Sequence, residues 1–162
     1  MLVSLSEYLD TDYSPDREYV DGVVMERHVG ERPHSRVQIN LGSLLDTRYP
    51  LIFAWSEQRI TTIPGRRARI PDICVTLTDP EKTVFDEPPF LAIEILSRLD
   101  RMVSVLAKLA EYQDFGIPHI WLVDPHSKKA FRYEDSNLKE ATGSSISAGE
   151  IDLPLADIFR RL

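Results

Sequence analysis

The chain has 162 residues, 43% hydrophobic and 28% charged, enough for one domain with a substantial core and with no apolar run long enough to span a bilayer. Its net charge of −7 argues against strong sequence-independent affinity for nucleic acid or anionic membranes, and its one cysteine, Cys74, excludes a disulfide framework or a thiolate metal cluster. The opening "MLVSLSEYLDTDY" meets an acid at Glu7 with no basic stretch ahead of it, so it does not read as a signal peptide and the cytoplasm is the expected compartment.

Residues 4 to 10 read as a short amphipathic helix. In "REYVDGVVMER" strand residues alternate on both sides of Asp21-Gly22, the signature of a hairpin with a tight primed turn. Val37, Leu41, Leu44 and Leu45 recur at helical spacing after Pro33. "LIFAWSEQRITTIP" reads as strand and ends at the turn Pro64-Gly65. The apolar strands "RIPDICV" (69 to 75) and "FLAIEIL" (90 to 96) follow, joined by the polar, Pro-rich "TDPEKTVFDEPP". "DRMVSVLAKLAEYQDFGIP" is the strongest helix. Met102, Leu106, Leu109 and Phe115 give it an apolar side, Asp100 is the expected cap, and Gly116 with Pro118 ends it. "HIWLVDP" and "KKAFRYE" are strands, "SNLKEATGSSISAGE" a loose edge hairpin, and "LPLADIFRRL" a closing helix. The alternation implies a single α/β domain over residues 1–162, with a mixed central sheet flanked by helices.

Two apolar strands each carry one acid, Asp72 and Glu94. A buried, unpaired carboxylate costs several kcal/mol, so each must be neutralised, paired with a cation or bound to metal. An arginine such as Arg69 or Arg59 would satisfy the ordinary structural alternative. If the strands are neighbours the acids stand together and repel, and Mg²⁺ suits such a pair because it takes one or two carboxylates and fills its other sites with water and phosphate. Two basic clusters, Arg66/Arg67/Arg69 and Arg98/Arg101, read either as phosphate-backbone contacts or as solvated surface charge. Trp55 and Trp121 read as core, and His28, His119 and His126 carry no assignment.

"RIPDICV … LAIEIL" resembles the core of the PD-(D/E)XK nuclease superfamily. More narrowly, "EYVDG", "GERPHSRVQINL", "RIPDICV", "AIEILS", "DRMVSVLAKLAEYQDFGIPHIWLVDP" and "LPLADIF" resemble, in order and over nearly the whole length, the Uma-two family of restriction-type endonucleases. The resemblance implies a restriction-endonuclease-like core and metal-dependent hydrolysis of DNA phosphodiesters, with Mg²⁺ or Mn²⁺ as cofactor. It assigns Asp72, Glu94 and the backbone carbonyl of Ile95 as metal ligands. Two residues beyond the acid, where the superfamily has a lysine, this chain has Leu96, and the resemblance transfers the role to Lys108 in the following helix. On that helix Lys108 shares a polar stripe with Arg101, Ser104 and Glu111. Glu18 matches an upstream acid that touches metal or water, and His34 a position suited to phosphate contact or proton donation. Enzymes that cut both strands often act as symmetric pairs, which makes a homodimer a possible assembly. Two other functions fit the same residues: a non-catalytic module on a nuclease fold, favoured by Leu96 and the acidic charge, and a hydrolase of small phosphate esters.

Overall fold

The computed structural model describes residues 2–28 and 30–162. Helix α1 (Leu5–Leu9) starts at Ser4, whose hydroxyl accepts the Glu7 N–H at 3.1 Å, and it buries Tyr8 against Tyr19 and Ala68. β1 (Arg17–Val20) and β2 (Val23–Glu26) form the expected hairpin. Asp21 and Gly22 both have positive φ, 50° and 90°, as a primed turn requires. α2 (Arg32–Arg48) has Pro33 in its first turn, where a missing N–H costs nothing.

β3 (Phe53–Ser56), β4 (Ile60–Ile63), β5 (Arg67–Arg69), β6 (Ile73–Thr76) and β7 (Leu91–Ile95) come next. They precede α3 (Met102–Phe115), β8 (His119–Asp124), β9 (Lys129–Glu134) and β10 (Asn137–Glu140). The central sheet has six strands in the order β10-β9-β8-β7-β6-β3; β7 and β8 are parallel, joined by the α3 crossover, and the other pairs are antiparallel. A second, four-stranded antiparallel sheet runs β2-β1-β5-β4. All five residues of β7 are buried. Leu91, Ile93 and Ile95 face α2, packing with Val37, Leu41 and Leu45, whereas Ala92 faces α3, packing with Leu109 and Tyr112. Strand alternation therefore sends Glu94 toward α3.

Four sequence expectations change. "RIPDICV" is two strands, because Pro71 has no N–H to donate: β5 ends in the small sheet and β6 begins in the central one, with Asp72 in the bend between. Asp100 does not cap α3. Its carboxylate accepts the Ser97 N–H at 2.7 Å, and the N-cap is Arg101, with no side-chain cap bond. Met102 and Leu106 lie on the exposed side of α3; the inward side is Leu109 and Tyr112 with part of Phe115. Gly116 does end the helix, in the left-handed conformation at φ 101°.

The fourth change concerns the Ser/Gly-rich segment. β10 is the edge strand, but β11 (Ser145–Ala148) and β12 (Ile151–Pro154) pair with each other and bury Ile146, Ala148, Ile151 and Leu153 in the α2 side of the core. α4 (Leu155–Ile158) follows, held where Asn40 of α2 donates to the carbonyls of Ile158 (2.9 Å) and Arg160 (3.0 Å). Among the described residues no helix is long and apolar enough to cross a membrane. Leu153→Ala is expected to cost about 2–5 kcal/mol in urea unfolding, the range for a buried leucine. A loss below about 0.5 kcal/mol would mean that the pair is surface after all.

Candidate active site

Ile73 pairs with Ile93, and one step further along the same register Asp72 stands opposite Glu94. Both acids face α3 at the end of the central sheet. Asp72 Oδ2 accepts the Ile95 N–H at 2.7 Å, and Oδ1 is met by Arg27 at 3.0 Å and His34 Nε2 at 3.2 Å. Glu94 Oε1 accepts the Tyr112 hydroxyl at 2.6 Å, and Oε2 lies 3.5 Å from Lys108 Nζ. Lys108 is also 3.1 Å from Glu18 Oε1, which accepts the Ile70 N–H as well. Glu18 Oε2 accepts from Arg69 at 3.1 Å. Asp72, Glu94, Glu18, Lys108, Arg27, His34 and Arg69 line one cleft of about 480 Å³ with Ile95, Leu96, Ser104 and Arg101.

The network continues outward with alternating sign. Buried Glu111 accepts two bonds from Arg69 (2.7 and 3.0 Å), one from Arg67 (2.7 Å) and one from the Thr62 hydroxyl (2.8 Å). Arg67 also holds Asp21 at 2.8 Å, beside Arg66. The cluster Arg66/Arg67/Arg69 is therefore engaged by Asp21, Glu18 and Glu111. Of the second cluster, Arg98 pairs with Glu31 at 3.1 Å, and Arg101 lines the cleft.

Burial and the neighbouring Asp72 and Glu18 charges overcome Lys108 and push Glu94 up to about 7. For Glu18 burial acts the same way, but Lys108, Arg69 and the Ile70 N–H outweigh it and hold the carboxyl below its ordinary range. Burial would favour a neutral Lys108, yet Glu94 and Glu18 raise its pKa and keep it an ammonium. His34 is likewise raised by Asp72 against its burial. Burial pushes the Cys74 thiol up to about 12, which leaves it inert.

All five side chains singled out in the sequence, Asp72, Glu94, Lys108, Glu18 and His34, thus line one cleft. Sequence reasoning missed Arg27, Tyr112 and the pairing of Glu111 with Arg67, Arg69 and Thr62. Glu111 was visible as a member of the polar stripe that includes Lys108, and Arg67 and Arg69 as a basic cluster; Arg27 ends a hairpin strand and Tyr112 reads as an ordinary core aromatic.

A carboxylate offers about four acceptor sites, two on each oxygen. Asp72 uses three, leaving one on Oδ2, and Glu94 uses two. Glu18 uses both sites on Oε1 and one on Oε2, three in all like Asp72, so Glu94 is the freest of the three. Among the described residues no three His, Cys, Asp or Glu side chains form a metal cage. Two carboxylates with unused acceptor sites fit a hard cation that takes its other ligands from water, backbone and phosphate.

A family profile described as "Uma2: Putative restriction endonuclease" matches residues 5–157. The chain belongs to the Uma2 family. Among solved structures it is similar to a "putative nuclease belonging to DUF820" from Anabaena variabilis, with 23% identity, TM-score 0.82, and 97% of each chain covered. That likeness shows that this Uma2 chain shares the fold of that protein over nearly its whole length. No curated protein matches.

The Glu111 cluster predicts a pH dependence. Burial would raise this carboxyl, but Arg69, Arg67 and Thr62 hold it below its ordinary value of 4.5. A depressed carboxylate contributes stability that is present above the unfolded pKa and is lost as pH falls through the folded one. Glu111→Gln is expected to cost about 3 kcal/mol at pH 7. The gap from the parent should close as pH falls below about 4.5 in urea titrations, and a gap constant with pH would show that the charge is not what matters.

Proposed function

We propose that this Uma2 protein is a metal-dependent nuclease that hydrolyses nucleic-acid phosphodiesters, with DNA as substrate and Mg²⁺ or Mn²⁺ as cofactor. The observation that carries the reading is Asp72 directly opposite Glu94 with the Lys108 ammonium 3.5 Å from Glu94. Family membership supports the reaction class.

Asp72, Glu94 and the Ile95 carbonyl would hold the metal, which when bound supplies charge neutralisation at the phosphate and a lowered pKa for a water. Tyr112 fixes the Glu94 carboxylate at Oε1 and turns Oε2 toward Lys108 and the cleft. The Ile95 N–H, Arg27 and His34 fix Asp72. Lys108 stays protonated, so it acts as a hydrogen-bond donor to the attacking water or to a phosphate oxygen as charge develops there, and not as a general base. Glu18, with both oxygens engaged, positions Lys108. His34 is placed to orient Asp72 and, as a cation, to meet a phosphate. Leu96 lines the same cleft, and Lys108 supplies from the helix the charge that the strand lacks.

The test is cleavage of plasmid, single-stranded DNA and RNA with Mg²⁺ or Mn²⁺. A chelator, Asp72→Asn and Glu94→Gln should each abolish it, and Lys108→Met should lower kcat by about 10²–10³-fold. Cleavage that survives in both acid variants would overturn the assignment. A folded protein that cuts none of these substrates would favour the alternative, a non-catalytic binding module on the same fold, to which Leu96 and the net charge of −7 also point.

A further inference from the structure

The active-site cleft does not end at Arg27. A second hollow of about 420 Å³ adjoins it, and the two share Glu26, Arg27, His28, Ser97 and Leu99 in their walls. One wall is the end of the hairpin, Glu26 to His28, and the other is the connection from β7 to α3. Single ion pairs tie that connection to its neighbours. His28 Nε2 lies 3.8 Å from Asp100, and Arg98 lies 3.1 Å from Glu31 at the start of α2. The passage is therefore narrow, and its volume is that of a small-ligand site.

The guanidinium groups of Arg17, Arg27 and Arg98 line this hollow beside the exposed side chains of Pro15 and Leu99. None of the three is fully committed to a partner. Arg17 Nε is buried with no hydrogen-bond partner, and Nη2 lies 3.4 Å from Glu26, whose side chain is 79% exposed. Arg27 gives Nη2 to Asp72 and holds Nη1 3.8 Å from Glu57, beyond hydrogen-bond distance. The Arg98–Glu31 pair is exposed on both sides, the kind of surface pair that contributes little and opens readily.

We propose that this hollow binds the nucleotide next to the scissile phosphate, and that the substrate is therefore an unpaired strand. The inference rests on the nuclease reading above. The flanking phosphate exchanges Glu26 and Glu31 for itself at Arg17 and Arg98, with Arg27 between it and the Asp72 carboxylate. The base lies against Leu99 and Pro15. A base still paired could not enter, because its partner strand would have to pass through the walls that the two ion pairs join.

Fluorescence anisotropy with a labelled oligothymidylate, and with the same strand annealed to oligoadenylate, tests this in Ca²⁺ and in chelator without reading hydrolysis. The single strand should bind about tenfold more tightly than the duplex. Arg98→Glu and Leu99→Asp should each weaken single-strand binding about tenfold. Their melting temperatures should not change, because these side chains are 67% and 61% exposed. Arg161→Glu, the same change of charge at an exposed site beyond α4, should leave binding near the parent's. Arg98→Glu should also lower the salt slope by about 0.7, the share of one single-strand phosphate. Equal binding of strand and duplex, no binding in either condition, or an Arg98→Glu loss no larger than that of Arg161→Glu overturns the proposal. Mg²⁺-dependent hydrolysis with equal binding of both forms would keep the nuclease and remove this subsite. Strand-selective binding lost in Arg98→Glu, without hydrolysis, would keep the subsite and remove the nuclease.

Discussion

Two carboxylates held opposite each other at the end of a buried sheet can persist only if cations enclose them. Here Arg27 and His34 close on Asp72 from one side while Lys108 reaches Glu94 and Glu18 from the other. The enclosure is incomplete at Glu94, whose carboxyl is pushed up to about 7, so the site keeps a residual appetite for positive charge. The local fold serves this constraint. The hairpin brings Glu18 and leads to Arg27, α2 brings His34, and the small sheet brings Arg69.

Helix α3 ties the arrangement together. Within one helical turn it offers Lys108 to Glu18 and Glu94, Glu111 to Arg67 and Arg69, and Tyr112 to Glu94. The spacings i+3 and i+4 put these groups on neighbouring lines of the helix, so four separate partners are met by a single rigid body. In this buried polar network each charge has an opposite neighbour, while Nδ1 of His34 is buried without a hydrogen-bond partner.

The sequence made some of this legible and concealed the rest. The acids were conspicuous because β7 is apolar at every other position, and the crossover helix because its pattern is long and its stop signals are strong. The split at Pro71 was less visible, since both halves of "RIPDICV" are strand-like and only tertiary pairing shows that they join different sheets. The inward side of α3 was misread from its apolar residues because Met102 and Leu106 lie outside while Glu111 lies within. An acid on an inward face is predictable only once its arginines, more than forty residues away in sequence, are known to arrive there. The Ser/Gly-rich tail looked loose because its small residues hid the alternation of Ile146, Ala148, Ile151 and Leu153.

The bend at Ile70-Pro71 works as a ruler. Arg69 belongs to one sheet and Asp72 stands at the start of a strand in the other, and between them run only two residues, one of whose N–H groups is bound to Glu18. That length sets how far apart the two halves of the charge network can lie. A residue gained or lost here would reverse which way the following side chains point and separate Asp72 from Glu94. The shape of the cleft is fixed by a count of residues as much as by their chemistry.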